Sequence, residues 1–538
     1  MCRLYHVCCT ALLFFYLSCL LYAQEDCFTI YQIKQGNGKY NNKFSQLKYV
    51  DIFAKKGGKV EFGIVGNIET LNPYGIVGIQ PKDYLLLSYD SLFFVPLDDV
   101  NIFLPLLATS ACILEGKKEV IITLNTMAKW SDGSNIKSVD VVFTIEYAKK
   151  HGLPYYRNLL KDVHSVALDS YRVKIIADEI INNDALSTIF SMPIIAKTYW
   201  ENINTLTPTL KNPIVSGGYA VADAVYGKKI TFIKRDDYWG KDLPVRAGTF
   251  NLEEIVYHYA IAKQGLKGLP LDLVQIEESK NIYKNVLRVA KISDDRILPF
   301  KGLIFNTSGV LQKKGLRELI YNLYDFATVK KTLLNDNTQQ FNSLFTGSNF
   351  YRESTIKHIN INENLDLVYD KLNELGYNAD NPLVLTIVFK NQQTLQENIS
   401  FLYNLKKVGI QTKVILGSLL EYKKIKENKG FDIIEDDYIF ANPPSAELLL
   451  YFVNQSGYNS SAIFDSKINS LINNIVQNKG NKVSLLKQLD ADLFNKRIFI
   501  PLYYEQYNYY NVRPDILIPS VKYNLGIDIT TIYISEKA

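Results

Sequence analysis

Apolar residues along the chain follow two rhythms. A period of two marks strands: Val60 and Phe62 alternate with polar neighbours in "GGKVEFGIVG", Ile230 and Phe232 do so in "KKITFIKRDD", and "EVIITLNT" from Glu119 to Thr126 is rich in β-branched residues. "GGYAVADAV" stands just ahead of the second of these and predicts a hairpin. A period near 3.6 marks helices. Val139, Val142, Phe143 and Tyr147 share one face of a segment that Ser138 can cap, with Asp140 in its first turn and Gly152 and Pro154 at its end. Leu316–Leu334 and Leu365–Gly376 predict two further amphipathic helices. "PLVLTIVFK", a helix ending in "KKVGI" and the run "QTKVIL" then predict a strand–helix–strand unit of the α/β kind. Between the Glu119 strand and the Ser138 helix lies "KWSDG", a turn under which Trp130 is expected to pack.

The amino terminus departs from both rhythms. Arg3 precedes the apolar run "ALLFFYLSCLLY" from Ala11 to Tyr22, and Ala23 precedes the polar "QEDC". A charged start, a short apolar stretch and a small residue are the parts of a secretory signal, here expected to be cleaved near Ala23. The run is short for a membrane span, and no later run is apolar for long enough to cross one, so the mature chain is expected to be a soluble exported protein. Removing the leader leaves Cys27 and Cys112. An oxidising compartment suits one disulfide between them, but nothing in the sequence brings them together, and the pairing stays open.

Charge and composition mainly exclude. The formal net charge of +5 is small and dispersed, and no basic run is interleaved with aromatics as a nucleic-acid interface needs. Four histidines outlast the leader, His151, His164, His258 and His358, none in a metal-ligand spacing, and there is no C-x-x-C pair. No nucleophile elbow or phosphate loop occurs. Glu435-Asp436-Asp437 is an acidic run whose commoner meaning is a solvated cluster. No enzyme, metal or cofactor is therefore expected; an exported chain with several α/β lobes points to binding in a cleft between lobes.

Read together, the segments resemble the large extracytoplasmic solute-binding proteins that serve ABC importers of oligopeptides and dipeptides. "AKWSDGSNIKSVDVVFTIE" resembles that family's Trp-Ser-Asp-Gly corner and helix; "SGGYAV" its Gly-x-Gly-Pro-Tyr strand opening, with Gly218 in place of proline; "KRDDYWG" its Asn-x-x-Tyr-Trp turn, with Arg235 where asparagine is common. A narrower similarity is to the Yej-type subgroup, associated with oligopeptide and microcin C uptake, through "FSQLKYVDIFAKKGGKVEFGIVGNIETLNPYG", "YWGKDLPVRAGTFNLEEIVYHY", "KGLIFNTS", "NPPSAE" and "IPLYYEQYNYYNV". These motifs stand in order over essentially the whole mature chain.

The resemblance implies an α/β periplasmic binding protein fold: two large lobes around a ligand cleft and a smaller inserted lobe. Residues 24–94, 213–302 and 505–538 would build lobe I, 95–212 the inserted lobe II, and 303–504 lobe III. It implies a monomer that captures a peptide or peptide-containing ligand and hands it to an ABC permease at the inner membrane. The same fold with a non-peptide ligand, or an envelope interaction protein without transport, is the alternative. The family anchors a peptide's amine with the aspartate of a Trp-x-x-Asp loop that stands before an Asp-Pro pair; counted back from Pro443, its place falls on Ile439, so the anchor is absent. Asp437 and Glu447 are the acidic substitutes on offer, Tyr438 and Asn442 belong to the same loop, Tyr458 and Asn459 resemble the family's Asn-aromatic-Ser-Gly loop with Ser460 in the aromatic's place, and Tyr74 follows the Asn72-Pro73 pair that leads toward the cleft.

Overall fold

The computed structural model describes residues 26–32, 38–99, 101–114, 118–178, 180–181, 183–203, 207–261, 263–276, 288–293, 298–333, 338–346, 365–417, 419–440, 443–453, 457–477, 479–505, 507–519 and 527–535. The leader and Asn442 lie outside the described residues. Among those described, no helix is long and apolar enough to cross a membrane.

Three sheets organise the chain. The largest has seven strands, in the order Tyr219–Val225, Lys229–Lys234, Glu254–Ala260, Lys59–Val65, Leu273–Ile276, Tyr507–Val512 and Arg288–Ser293. It is assembled from the first, middle and last parts of the chain, and the hairpin expected at Tyr219–Lys234 is its first antiparallel pair. A five-stranded antiparallel sheet joins Asp26–Phe28, Ala108–Ile113, Glu119–Leu124, Arg172–Ala177 and Val163–Ala167. One continuous apolar core links these two sheets, from Val60 and Ile255 to Ile122 and Ile175.

The remaining large sheet runs Gln411–Leu416, Val384–Phe389, Ile433–Tyr438, Phe300–Phe305, Phe499–Pro501. The Val384 and Gln411 strands pair in parallel, as the strand–helix–strand pattern requires. This sheet is covered on both faces. Phe300, Ile304 and Ile434 face the helices Ser466–Val476 and Lys482–Asn495, whereas Leu303, Phe305 and Ile433 face Lys314–Asn322 and Ile399–Lys407. Strands buried on both faces carry near-continuous apolar runs, which is why "PLVLTIVF" shows little alternation.

Two expected boundaries shift. Asp26–Phe28, expected with lobe I, pairs instead with Ala108–Ile113, in a register that sets Cys27 opposite Cys112, and the two cysteines form a disulfide. Phe300–Phe305 is one strand running through the expected boundary at 302/303. The long helix expected over Leu316–Leu334 is two, Lys314–Asn322 and Phe326–Leu333. The Asp325 carboxylate takes the N–H and hydroxyl of Thr328, restarting the helix at a new cap.

The Trp-Ser-Asp-Gly corner is structural. Trp130 is buried and its indole donates to Asp140. The same carboxylate accepts the N–H groups of Lys137 and Lys197, so the helix Ser138–His151 is capped from inside by Asp140, with Lys137 rather than Ser138 at the N-cap. Anchoring Asp140 inward rotates the helix: Val141, Thr144, Ile145 and Ala148 join Tyr147 in the core, and Val139 of the expected face is exposed. Ser131 exchanges hydrogen bonds with Val215, tying the corner to the Gly217-Gly218 strand opening. A Cβ at Gly218 would stand 2.7 Å from the Phe250 ring. Gly218→Ala is therefore expected to cost about 1–3 kcal/mol in urea unfolding through overpacking; an unchanged midpoint would show that the ring yields freely.

Candidate functional site

The order of the described strands makes the chain cross between the seven-stranded sheet and the Ile433 sheet twice, after Arg288–Ser293 and before Tyr507–Val512. Strand register shows from which ends the crossings spring. In the Ile433 sheet, Phe300 lies opposite Tyr438 and Gly302 opposite Pro501. Both crossings thus meet the carboxyl ends of the parallel strands Val384–Phe389, Gln411–Leu416 and Ile433–Tyr438. In the seven-stranded sheet, Val65 lies beside Ala260 in parallel, Ile276 opposite Tyr509, and Ser293 opposite Tyr507. There too the crossings spring from the carboxyl ends of the parallel strands. In open α/β sheets those ends are where ligands bind, and the space between the two sets is the candidate cleft.

Apolar side chains stand uncovered at both sets of ends. Ile261, just past the Glu254 strand, is 92% exposed and Ile439, just past the Ile433 strand, is 62% exposed; Val65 is also exposed. The loop after Val65 is firmly built. Glu69 and Thr70 donate their N–H groups to the Ile79 carbonyl, Leu71 donates to Thr209, and the Gln80 amide donates to the Asn72 and Pro73 carbonyls.

The residues singled out in the sequence fare differently. Asp437 is partly exposed at the carboxyl end of its strand, with its carboxylate 2.6 Å from the Lys390 ammonium. Tyr438 is fully buried, stacked on Phe300, and burial pushes its phenol well above the usual range. Tyr74 is likewise buried; its hydroxyl donates to the Pro193 carbonyl at 2.5 Å and its ring packs against Tyr147 and Tyr156. Glu447 is buried at the start of the helix Glu447–Phe452, accepting the Ser445 N–H. The Asn459 side chain closes its own loop through Ile463 and Ser461. These four shape the protein without presenting their side chains to solvent, because an aromatic or amide beside a cleft is also the natural filler of the wall behind it. Tyr458 is half exposed, over the Lys426 ammonium and near enough to Arg157 of the helix Pro154–Leu159 for that charge to act on its phenol.

The acidic run divides by strand alternation. Glu435 and Asp437 lie on the side of Lys390, whose N–H donates to Glu435. Asp436 points the other way, 2.6 Å from the Lys426 ammonium, and also accepts from Ser460 and Tyr422. Burial raises the Glu435 carboxyl, and it lowers the neighbouring Lys429 ammonium to about 8. Asp436 and Asp437 are each paired with a lysine, which ties the acidic run into a structural network. Among the described residues no cluster of His, Cys, Asp and Glu suits a metal ion.

Comparison with known proteins agrees with this geometry. The sequence model of bacterial extracellular solute-binding proteins, family 5 Middle, matches residues 103–460, more than half of the chain. The chain belongs to this family. The chain is also similar to the Escherichia coli K12 protein YejA, 25% identical over 555 residues that cover 92% of each chain. Among solved structures, the murein tripeptide binding protein MppA of Escherichia coli superposes with a TM-score of 0.70 at 17% identity, over 90% of this chain and 99% of that one. NikA of Brucella suis, in complex with Fe(III)-EDTA, gives 0.71 at 17% identity, over 89% of this chain and all of that one. The expected family and fold both hold, and the relatives are solute-binding proteins and not enzymes.

Lys390, Ile261 and Glu69 were not legible as residues bordering the candidate cleft. Their one signal is positional: each lies just beyond the carboxyl end of a parallel strand, and parallel pairing is not written in the local sequence.

Proposed function

We propose that this family 5 protein captures peptides or peptide-containing compounds in the cleft between the two sets of strand ends and delivers them to an ABC permease. The observation that carries this reading is the convergence of both parallel strand sets on the two crossings. Two crossings form a natural hinge, about which the lobes close on a ligand. A peptide held extended can be gripped through its backbone, so that affinity need not depend on its sequence, and exposed apolar residues such as Ile261 and Ile439 offer its side chains contact. The structural likeness to a murein tripeptide binder supports a ligand of this class. In this reading the leader ending near Ala23 directs the chain to the periplasm, where it works as a monomer.

Native mass spectrometry of protein from its own exported compartment, followed by identification of released compounds, tests the reading. Short peptides or muropeptides are expected, and adding them back at a hundred times Kd is expected to stabilise the protein by about 2.7 kcal/mol. An empty protein whose melting point no peptide pool raises would overturn peptide capture. Ile439, exposed where the resembling family has its amine anchor, favours a second reading with a non-peptide ligand, and the likeness to a protein holding Fe(III)-EDTA shows the fold accepting one. A metal chelate or sugar among the released compounds would decide for it.

A further inference from the structure

A peptide-like ligand carries formal charge, and burying that charge without a partner is costly. The lobe built on Ile433–Tyr438 offers a ligand cation little. Asp437 is 2.6 Å from Lys390, Asp436 is 2.6 Å from Lys426, and Glu435 is buried with the Lys390 N–H on its carboxylate. The next residue outward is the exposed Ile439.

The opposite lip differs. Glu69 lies just past the carboxyl end of the Lys59–Val65 strand. One carboxylate oxygen accepts the Asn67 amide at 2.8 Å and the Tyr226 hydroxyl at 3.3 Å, and the other accepts the Ile79 N–H at 3.2 Å. Tyr226 comes from the turn between Tyr219–Val225 and Lys229–Lys234; because Lys229 pairs with His258, that turn also lies at the cleft end of the sheet. All three donors are neutral, and among the described residues no basic side chain forms an ion pair with Glu69. The donors fix the carboxylate's orientation, while Val65 and Ile79 beside it remain exposed. A fixed anion without a counter-charge, on an apolar rim, is suited to an ammonium or guanidinium.

We propose that Glu69 is the group that recognises the cationic end of the ligand, so that charge is read by the lobe carrying Lys59–Val65 and not by the one carrying Asp437. The proposal rests on the peptide reading above. Calorimetric titration of the full chain with a tri- to pentapeptide pool free of lysine and arginine, and with the same pool N-acetylated, tests it. Wild type is expected to bind the free-amine pool at least about tenfold more tightly, the scale of a hydrogen bond to a charged group. Glu69→Gln, which keeps an oxygen for the local donors, is expected to bind both pools alike with an unchanged unfolding midpoint. If that variant does not fold, Glu69→Asp, which withdraws the carboxylate by one methylene, gives the same readout. A wild type without preference between the pools, or a Glu69 variant that keeps the preference while Asp437→Asn loses it, overturns the assignment alone. A wild type that binds neither pool overturns the peptide reading and this assignment with it.

Discussion

Asp90→Asn is expected to lose about 3–5 kcal/mol of stability. Asp90 is completely buried and binds three partners from one distant stretch: the Arg246 guanidinium at 2.6 Å, the Tyr238 hydroxyl at 3.1 Å and the Trp239 indole at 3.0 Å. Arg246 is itself buried, with its guanidinium over the Phe94 and Phe250 rings and its Nε donating to Tyr238. Removing the Asp90 charge takes away the carboxylate in direct contact with the Arg246 guanidinium, and the charge left buried without that partner sets the size of the loss. Chemical unfolding of the variant measures it, and a loss below about 1 kcal/mol would show that water enters the cluster. Replacing Arg246 by Met in the Asp90→Asn background is expected to recover part of the loss, because the stranded cation is then gone.

Reduction of the Cys27–Cys112 disulfide is expected to cost about 4.5 kcal/mol. The bond closes a sequence separation of 85 residues and staples Asp26–Phe28 to the edge of the five-stranded sheet. In the chain-entropy account a loop of this length restricts the unfolded state by about that much. The strand it holds has three residues and would be a weak edge alone. The unfolding midpoint of the oxidised protein compared with that of the Cys27→Ser/Cys112→Ser variant gives the difference. Equal midpoints would mean that the Phe28 ring, packed against Tyr31 and Phe190, holds the strand without help.

The sequence by itself determined the local elements and, through ordered motifs, the family. Alternation at Val60 and Phe62, the hairpin at Tyr219–Lys234 and the strand–helix–strand unit at Val384–Leu416 are all present. Their periods arise from residues adjacent in the chain, which is why they can be read there. The motif "YWGKDLPVRAG" was recognisable as a pattern, yet its reason was not: Tyr238, Trp239 and Arg246 converge on Asp90, about 150 residues earlier. Helix faces failed where a polar group turned inward, as Asp140 did under Trp130. Tyr74, Tyr438, Glu447 and Asn459 were chosen from motifs, but burial is set by what packs over a side chain, and those partners come from elsewhere in the chain. The partner of Cys27, the two crossings and the strand ends that Glu69 and Lys390 occupy depend on parallel and long-range pairing. Such pairing is stabilised only once distant segments meet, so only the tertiary structure decides it.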